Sequence, residues 1–354
     1  MSSYRRGCDS RRELLALLST FARLDGRGRK IHLTMLVINL VIAGSLVILV
    51  GCSRPKSRFE SLTVSPDGTN ILGVYFHSGS SFIYNIPVDT GKATRFTNAT
   101  KGFEGAPSFS VDGKRIAYSY SPGPGVHSRI ILANADGSNP HPLATLDADD
   151  FRPLFSTADK TLIFGRYRYY GHYSPIAQPT HHEWDFYVSD LDGANVRQLT
   201  NEKFYMVSRA SISLDGKQML FVSSESEGDT MVIYSLEQPP KPKQAFRPHV
   251  KDEPKGGGIF DDPSFLPDGK SILFLGACNG ARGFDYDVYK MDLVTQEVNK
   301  ITTANDYSYS LRVSLDGRRA VFVRDISKSG KRSEIILLDL ATHKLTPLKV
   351  TGLD

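Results

Sequence analysis

From residue 58 onward, short runs of β-branched and aromatic residues alternate with clusters of Asp, Gly, Asn, Ser and Pro, and the alternation is periodic. The runs NILGVYF, RIAYSY, TLIFGRY, QMLFVSS, SILFLGA and RAVFVRD each follow a polar tetrapeptide. These are Ser65-Pro66-Asp67-Gly68, Ser110-Val111-Asp112-Gly113, Ser213-Leu214-Asp215-Gly216, Leu266-Pro267-Asp268-Gly269 and Ser314-Leu315-Asp316-Gly317, with Ser156-Thr157-Ala158-Asp159 as a worn copy. Their aspartates stand at 67, 112, 159, 215, 268 and 316, a spacing of 45 to 56 residues. Apolar runs bounded in this way read as strands entered through tight turns, because Gly takes φ > 0 at no steric cost and an Asp side chain bonds the turn backbone. A second apolar run follows in each unit (FIYNIPV, RIILAN, DFYVSD, MVIYSL, DVYKMDL, EIILLDL), and a last one ends near Thr, as in ATRFTN, VRQLTN, VNKITT and KLTPL.

Four antiparallel strands recurring six times predict an all-β chain folded as a six-bladed β-propeller over residues 58–352. The tetrapeptides and the strands behind them resemble the PD40, or WD40-like, repeats of the TolB-like propeller family. The resemblance implies that a ligand or peptide enters at the mouth of the central channel. Family members of the TolB type carry an α/β domain ahead of the propeller. Here only Ser53 to Ser57 separate the first repeat from the segment before it, so contacts made through that domain do not carry over.

Charge changes the picture at the N-terminus. Eight basic residues against three acidic ones precede Cys52, so the chain's whole formal charge of +5 sits there and the repeats are neutral. That removes the electrostatic footprint of a nucleic-acid binder. The basic segment, residues 1–30, runs into IHLTMLVINLVIAGSLVILV, twenty uncharged residues long enough to cross a bilayer as a helix. Its basic flank belongs in the cytoplasm, which puts the repeats on the extracytoplasmic side of a bacterial envelope. Leu49-Val50-Gly51-Cys52 resembles a lipobox, which implies lipidation at Cys52. Residues 31–52 are then a signal peptide, or else an uncleaved membrane anchor. The only other cysteines are Cys8 and Cys278, so no disulfide is expected within the exported part.

Alternating strand direction puts the A-to-B turns, which are the Asp-Gly tetrapeptides, on one face, and the B-to-C and D-to-A loops on the other. The B-to-C loops vary in length, and variable loops on a rigid scaffold are the usual carriers of binding. That face is therefore expected to be the functional one. Glu104, Asp149, Asp150, Asp261, Asp262 and Asp306 lie just before the innermost strands, with Arg152, Arg209 and Arg312 close behind. These carboxylates either hold a cation or receive a basic peptide, or they are polar only because they are wet.

The third B-to-C loop is the longest and contains YGHYSPIAQPTHHEWD, Tyr170 to Asp185. Its binding candidates are His172, Tyr173, His181, His182, Glu183 and Trp184. His172, His181 and Glu183 are donors suited to a divalent metal. Adjacent His181 and His182 point to opposite sides of an extended segment, and neither HExxH nor a Cys pair is present. In the other reading the loop folds over its blade with Trp184 as an apolar anchor. No G-x-S-x-G occurs, and no phosphate-binding glycine loop is found. Two classes of function remain: a membrane-tethered, non-catalytic scaffold for an envelope protein, peptide or glycan, and a metal-dependent lyase or hydrolase acting on a saccharide.

Overall fold

The computed structural model describes residues 57–353 apart from 124–125, 144–147, 171–179, 226–227, 238, 251–257, 281–282, 304–305 and 327–332. The expected N-terminal apolar helix and Cys52 lie outside the described residues. Among the described residues there is no helix, and so none long and apolar enough to cross a membrane.

The strands follow the predicted order. Ser57–Val64, Asn70–His77, Ser80–Pro87 and Thr94–Arg95 form one antiparallel meander, and Phe103–Phe109, Arg115–Ser121, Arg129–Asn134 and His141–Pro142 form a second. One parallel bridge, Ser81 to Phe103, joins the two into an eight-stranded sheet. Four-stranded sheets run from Asp149–Phe155 to Arg197–Gln198, from Phe260–Phe265 to Val298–Lys300 and from Tyr307–Val313 to Leu345–Leu348. Between the first two of these lies a five-stranded sheet whose innermost strand is broken into Met206–Val207 and Ser211–Ile212. The expected six separate sheets are thus five by hydrogen bonding, because the first two units share a bridge. The whole is an all-β propeller.

The tetrapeptides form the predicted turns. In the first, Gly68 has φ +72° and its N–H donates to Ser65 O at 2.9 Å, while Asp67 Oδ1 accepts from Thr69 N at 3.1 Å. Ser65 Oγ–H bonds Asp67 Oδ1 as well, and the same contact recurs at Ser110–Asp112, Ser213–Asp215 and Ser314–Asp316. The bond from Ser65 holds the Asp67 carboxyl below its usual range, and Ser110 does the same for Asp112. The worn copy differs. Asp159 reaches into the neighbouring turn, accepting from Val111 N at 2.7 Å and Asp112 N at 2.8 Å.

Apolar residues pack in six clusters, each shared by units adjacent in the ring. The one that closes the ring joins Phe59, Leu62, Tyr84 and Ile86 to Tyr309, Val321, Val323 and Ile335. Polar bonds reinforce it: Tyr309 Oη donates to Phe59 O at 2.7 Å, and Leu62 N donates to Ser310 Oγ at 2.7 Å. Among the described residues the last sheet is built from four consecutive strands of its own, and no strand is exchanged at closure. Instead the C-terminal tail crosses to the first unit, where Thr351 bridges Lys92, accepts from Ala93 N at 2.7 Å and donates to Gly91 O at 3.0 Å.

This crossing is tight enough to test. Gly91 has φ +64°, and a Cβ there would collide with the Lys349 carbonyl oxygen, whereas Gly79, at φ +88°, faces open space. Gly79→Ala should cost about 1–2 kcal/mol through its backbone conformation alone. Gly91→Ala should cost more than that, read as the larger drop in denaturant midpoint.

Candidate functional site

The innermost strands share an irregularity that positions everything along the axis. Four residues before the first residue of each tetrapeptide stand Ser61, Ala106, Arg152, Arg209, Asp262 and Ser310. Four of these, Ala106, Arg152, Asp262 and Ser310, have positive φ between 47° and 60°. At each of those four, two residues oppose one on the next strand, which is a β-bulge. At Arg209 the strand is interrupted altogether. Breaking the ladder here frees backbone groups for partners in other units, as Pro107 O accepts from Arg209 Nη2 and Ser310 N donates to Asp262.

Most of the predicted acidic ring is committed to the fold. Glu104 is 3% exposed and accepts from Ile83 N and Thr97 Oγ1, both at 2.8 Å. Burial raises its pKa against those two bonds. Asp149 accepts from Ser128 N at 3.0 Å and lies 3.0 Å from His127 Nδ1. Asp150 is fully buried and receives both Nε and Nη2 of Arg166, at 2.7 and 3.0 Å. Asp262 accepts from Ser310 N at 2.7 Å and Arg312 Nη1 at 2.9 Å, and Asp261 accepts from Asp262 N at 2.9 Å. Asp306 stands 3.8 Å from Arg324. Arg152 Nη1 donates to Val207 O, and its guanidinium lies over Phe151 and Trp184. These residues do not converge on one point. They engage separate partners, several of them across a seam between units.

The long loop is shorter than the sequence suggested. Strands Thr161–Tyr170 and Thr180–Asp190 pair up to Tyr170 and Thr180, so the second half of the expected loop is strand. His172 and Tyr173 lie outside the described residues, and of His181 only the backbone, paired with Tyr169, is described. His182 is half-buried with its ring 4.5 Å from that of Tyr205. Glu183 ion-pairs with Arg168 at 3.4 Å. Trp184, a contact residue in one reading and an apolar anchor in the other, is 7% exposed and packs against Phe151 at 4.5 Å and Tyr167 at 4.8 Å. Its indole belongs to the core. Among the described residues no group of three His, Cys, Asp or Glu is placed to hold a metal ion.

A cavity of about 190 Å³ opens at the other end of the axis, on the Asp-Gly turn face. Its rim is the second residue of each tetrapeptide: Pro66, Val111, Thr157, Leu214, Pro267 and Leu315. Its wall includes Thr63, Ser108, Ser211 and Ser264, and Arg209 and Arg312 line it at the level of the bulges. The functional face was expected to be the opposite one, that of the B-to-C and D-to-A loops. The signal that marks the turn face was present in the sequence, since that rim position is apolar in five of six copies.

Comparison with known proteins agrees with the fold and the repeats. No protein-family model matches the chain. Over 70 residues it is 41% identical to the Tol-Pal system protein TolB of Francisella tularensis subsp. mediasiatica, a match covering 20% of this chain and 16% of that protein. The chain thus matches less than a fifth of the length of such curated relatives. TolB from Acinetobacter baumannii superposes with a TM-score of 0.51 at 18% identity, covering 84% of this chain and 69% of that one. A puromycin hydrolase superposes with a TM-score of 0.55 at 15% identity, covering 86% and 55%. At those identities the structures speak for the fold alone. The repeats are TolB-like, and the fold is that of a β-propeller.

The commitment of the carboxylates gives two expectations. Asp150→Ala strands the Arg166 guanidinium and should cost about 3–5 kcal/mol in equilibrium unfolding, whereas Glu183→Gln at a largely exposed pair should cost less than about 1 kcal/mol. Because burial raises the Glu104 pKa, its contribution to stability is complete below the ordinary glutamate range and is lost as pH rises through the raised value. The stability of wild type relative to Glu104→Gln should therefore fall as pH is raised from acid to neutral, measured by denaturant titration at each pH.

Proposed function

We propose that the chain is a membrane-tethered propeller of six blades, with the eight-stranded sheet counting as two, that acts as a non-catalytic scaffold in the bacterial envelope. In this reading residues 1–30 are the cytoplasmic or n-region segment, residues 31–52 insert in the membrane, Cys52 is lipidated, and residues 58–352 form the binding domain. Its partner is an envelope protein, peptide or glycan, met by the B-to-C and D-to-A loops. The observation that carries this reading is the 41% identity over 70 residues to a protein named for the Tol-Pal system. The six inter-unit clusters support the blade count, and the consumption of Glu104, Asp149, Asp150 and Asp262 by structural bonds favours a scaffold over a carboxylate-based catalyst.

The hairpin geometry supplies a clean test. Since Tyr170 and Thr180 are cross-strand partners, residues 171–179 can be replaced by Asn-Gly, a two-residue hairpin turn. The variant should keep its melting temperature and lose the envelope partners that cross-link to the wild-type chain in cells. Unchanged cross-linking would remove the loop from the binding surface. Separately, Cys52→Ser should abolish metabolic incorporation of labelled palmitate, and labelling that persists would count against lipidation at this residue.

A further inference from the structure

The cavity on the Asp-Gly turn face changes character with depth. At the rim, Leu214 is 48% and Leu315 37% exposed, whereas few other large apolar side chains among the described residues are. Hydroxyls line the wall, and two guanidiniums lie at the inner end. Arg209 is 5% exposed. Its Nη1 donates to Leu62 O at 3.0 Å and its Nη2 to Pro107 O, while its Nε is buried with no hydrogen-bond acceptor. Arg312 gives its Nη1 to Asp262.

The charges here are uneven. Arg209 feels Arg312 and Arg152 as like charges and Asp262 as the one opposing carboxylate, and Asp262 is already bonded by Arg312 and Ser310 N. Burial first, then the neighbouring arginines, push the Arg209 pKa down. A buried cation with an unused donor and no carboxylate of its own is costly, and an incoming anion relieves that cost. The rim decides which anion. Phosphate is strongly hydrated and gains nothing from exposed leucines. A carboxylate matches a guanidinium edge in the plane and leaves its carbon body for the apolar collar.

We propose that this cavity binds a monocarboxylate with a small apolar body, its carboxylate at Arg209 and Arg312 and its carbon chain among Leu214, Leu315 and Pro267. At about 190 Å³ the cavity is somewhat larger than the ~150 Å³ that holds benzene in an engineered apolar site, which suits a body of about six carbons. A free short-chain acid and the C-terminal residue of a peptide share this chemistry. The site lies at the opposite mouth from the loops of the scaffold reading, so either can fail without the other.

The test is thermal unfolding of the full chain with defined probes at constant ionic strength: sodium hexanoate, N-acetyl-Ala-Leu, hexylammonium chloride, sodium phosphate and N-acetyl-Ala-Leu-amide. The two carboxylates should raise the melting temperature saturably, by about 2 °C at tenfold excess over their dissociation constants. The amine, the phosphate and the amide should not. Leu315→Glu, at an exposed rim position the fold tolerates, puts a like charge at the mouth and should remove most of the rise, and Leu214→Glu should repeat the result. A larger effect of the dipeptide assigns the source as a chain terminus, and a larger effect of hexanoate assigns a free acid. No rise with either carboxylate, an equal rise with hexylammonium, phosphate or the amide, or a rise unchanged in both glutamate variants would overturn the proposal.

Discussion

Each propeller unit has two apolar faces and covers neither by itself, so the structure depends on every face meeting a neighbour and on the last meeting the first. Burial of apolar surface contributes roughly 25 cal/mol per Å², and a ring left open at one seam would forfeit it on both sides. The closing seam shows how the requirement is met. Phe59 and Leu62 from the first innermost strand pack with Tyr309, Val321 and Ile335 from the last unit, and the tail through Thr351 ties the outer edge. The inner strands and seams therefore carry the packing that holds the ring, and loop length varies at the rims.

Polar groups follow the same constraint. Glu104 holds the first two units together through Ile83 N, Asp149 holds the next pair through Ser128 N, and Arg152 reaches Val207 O in the unit after. Asp229 accepts from Phe260 N at 3.0 Å, Asp262 from Ser310 N, and Ser310 Oγ from Leu62 N. Every seam thus carries at least one directional bond. Within units a second device recurs. Thr200 and Thr302 each donate to an aspartate fifteen residues earlier, Asp185 at 2.7 Å and Asp287 at 2.8 Å, and each accepts from the next backbone N–H, of Phe186 and Val288. Two of the threonines that close the last strand in the sequence pattern are part of this clamp. Removing one partner of a buried carboxylate bonded in this way is costly.

The local parts of this design were legible in the chain. Asp-Gly turns and the strands behind them depend on residues within a few positions of one another, and their repetition announced the ring. What was not legible depends on bulges and seams. Trp184, left open between contact residue and apolar anchor, is one case. THHEWDFYVSD alternates polar and apolar residues without saying which side faces the core, and Tyr167 stands opposite both Glu183 and Trp184 because the register shifts there. Glu183 takes φ +55° at that bulge, and Trp184 packs inward against Phe151. The acidic ring was picked out by its place just before the innermost strands. Its role was hidden because the partners, such as Ile83 N and Ser310 N, come from neighbouring units.

The axis itself breaks the repeat's symmetry at one position. Of the six equivalent residues, Ser61, Ala106 and Ser310 are small, and Arg209 alone sends its guanidinium to carbonyls of both the first and second units, at Leu62 and Pro107. One long side chain fills space that six small ones would leave open, and the small residues opposite make room for it. One of those carbonyls, Pro107 O, lies in the bulge of the second unit, so the guanidinium is held in part by that irregularity. The consequence is a polar axis: one mouth is surrounded by carboxylates already bonded across seams, and the other is a funnel whose apolar rim descends to cations. A ring of related units thereby acquires two chemically distinct ends.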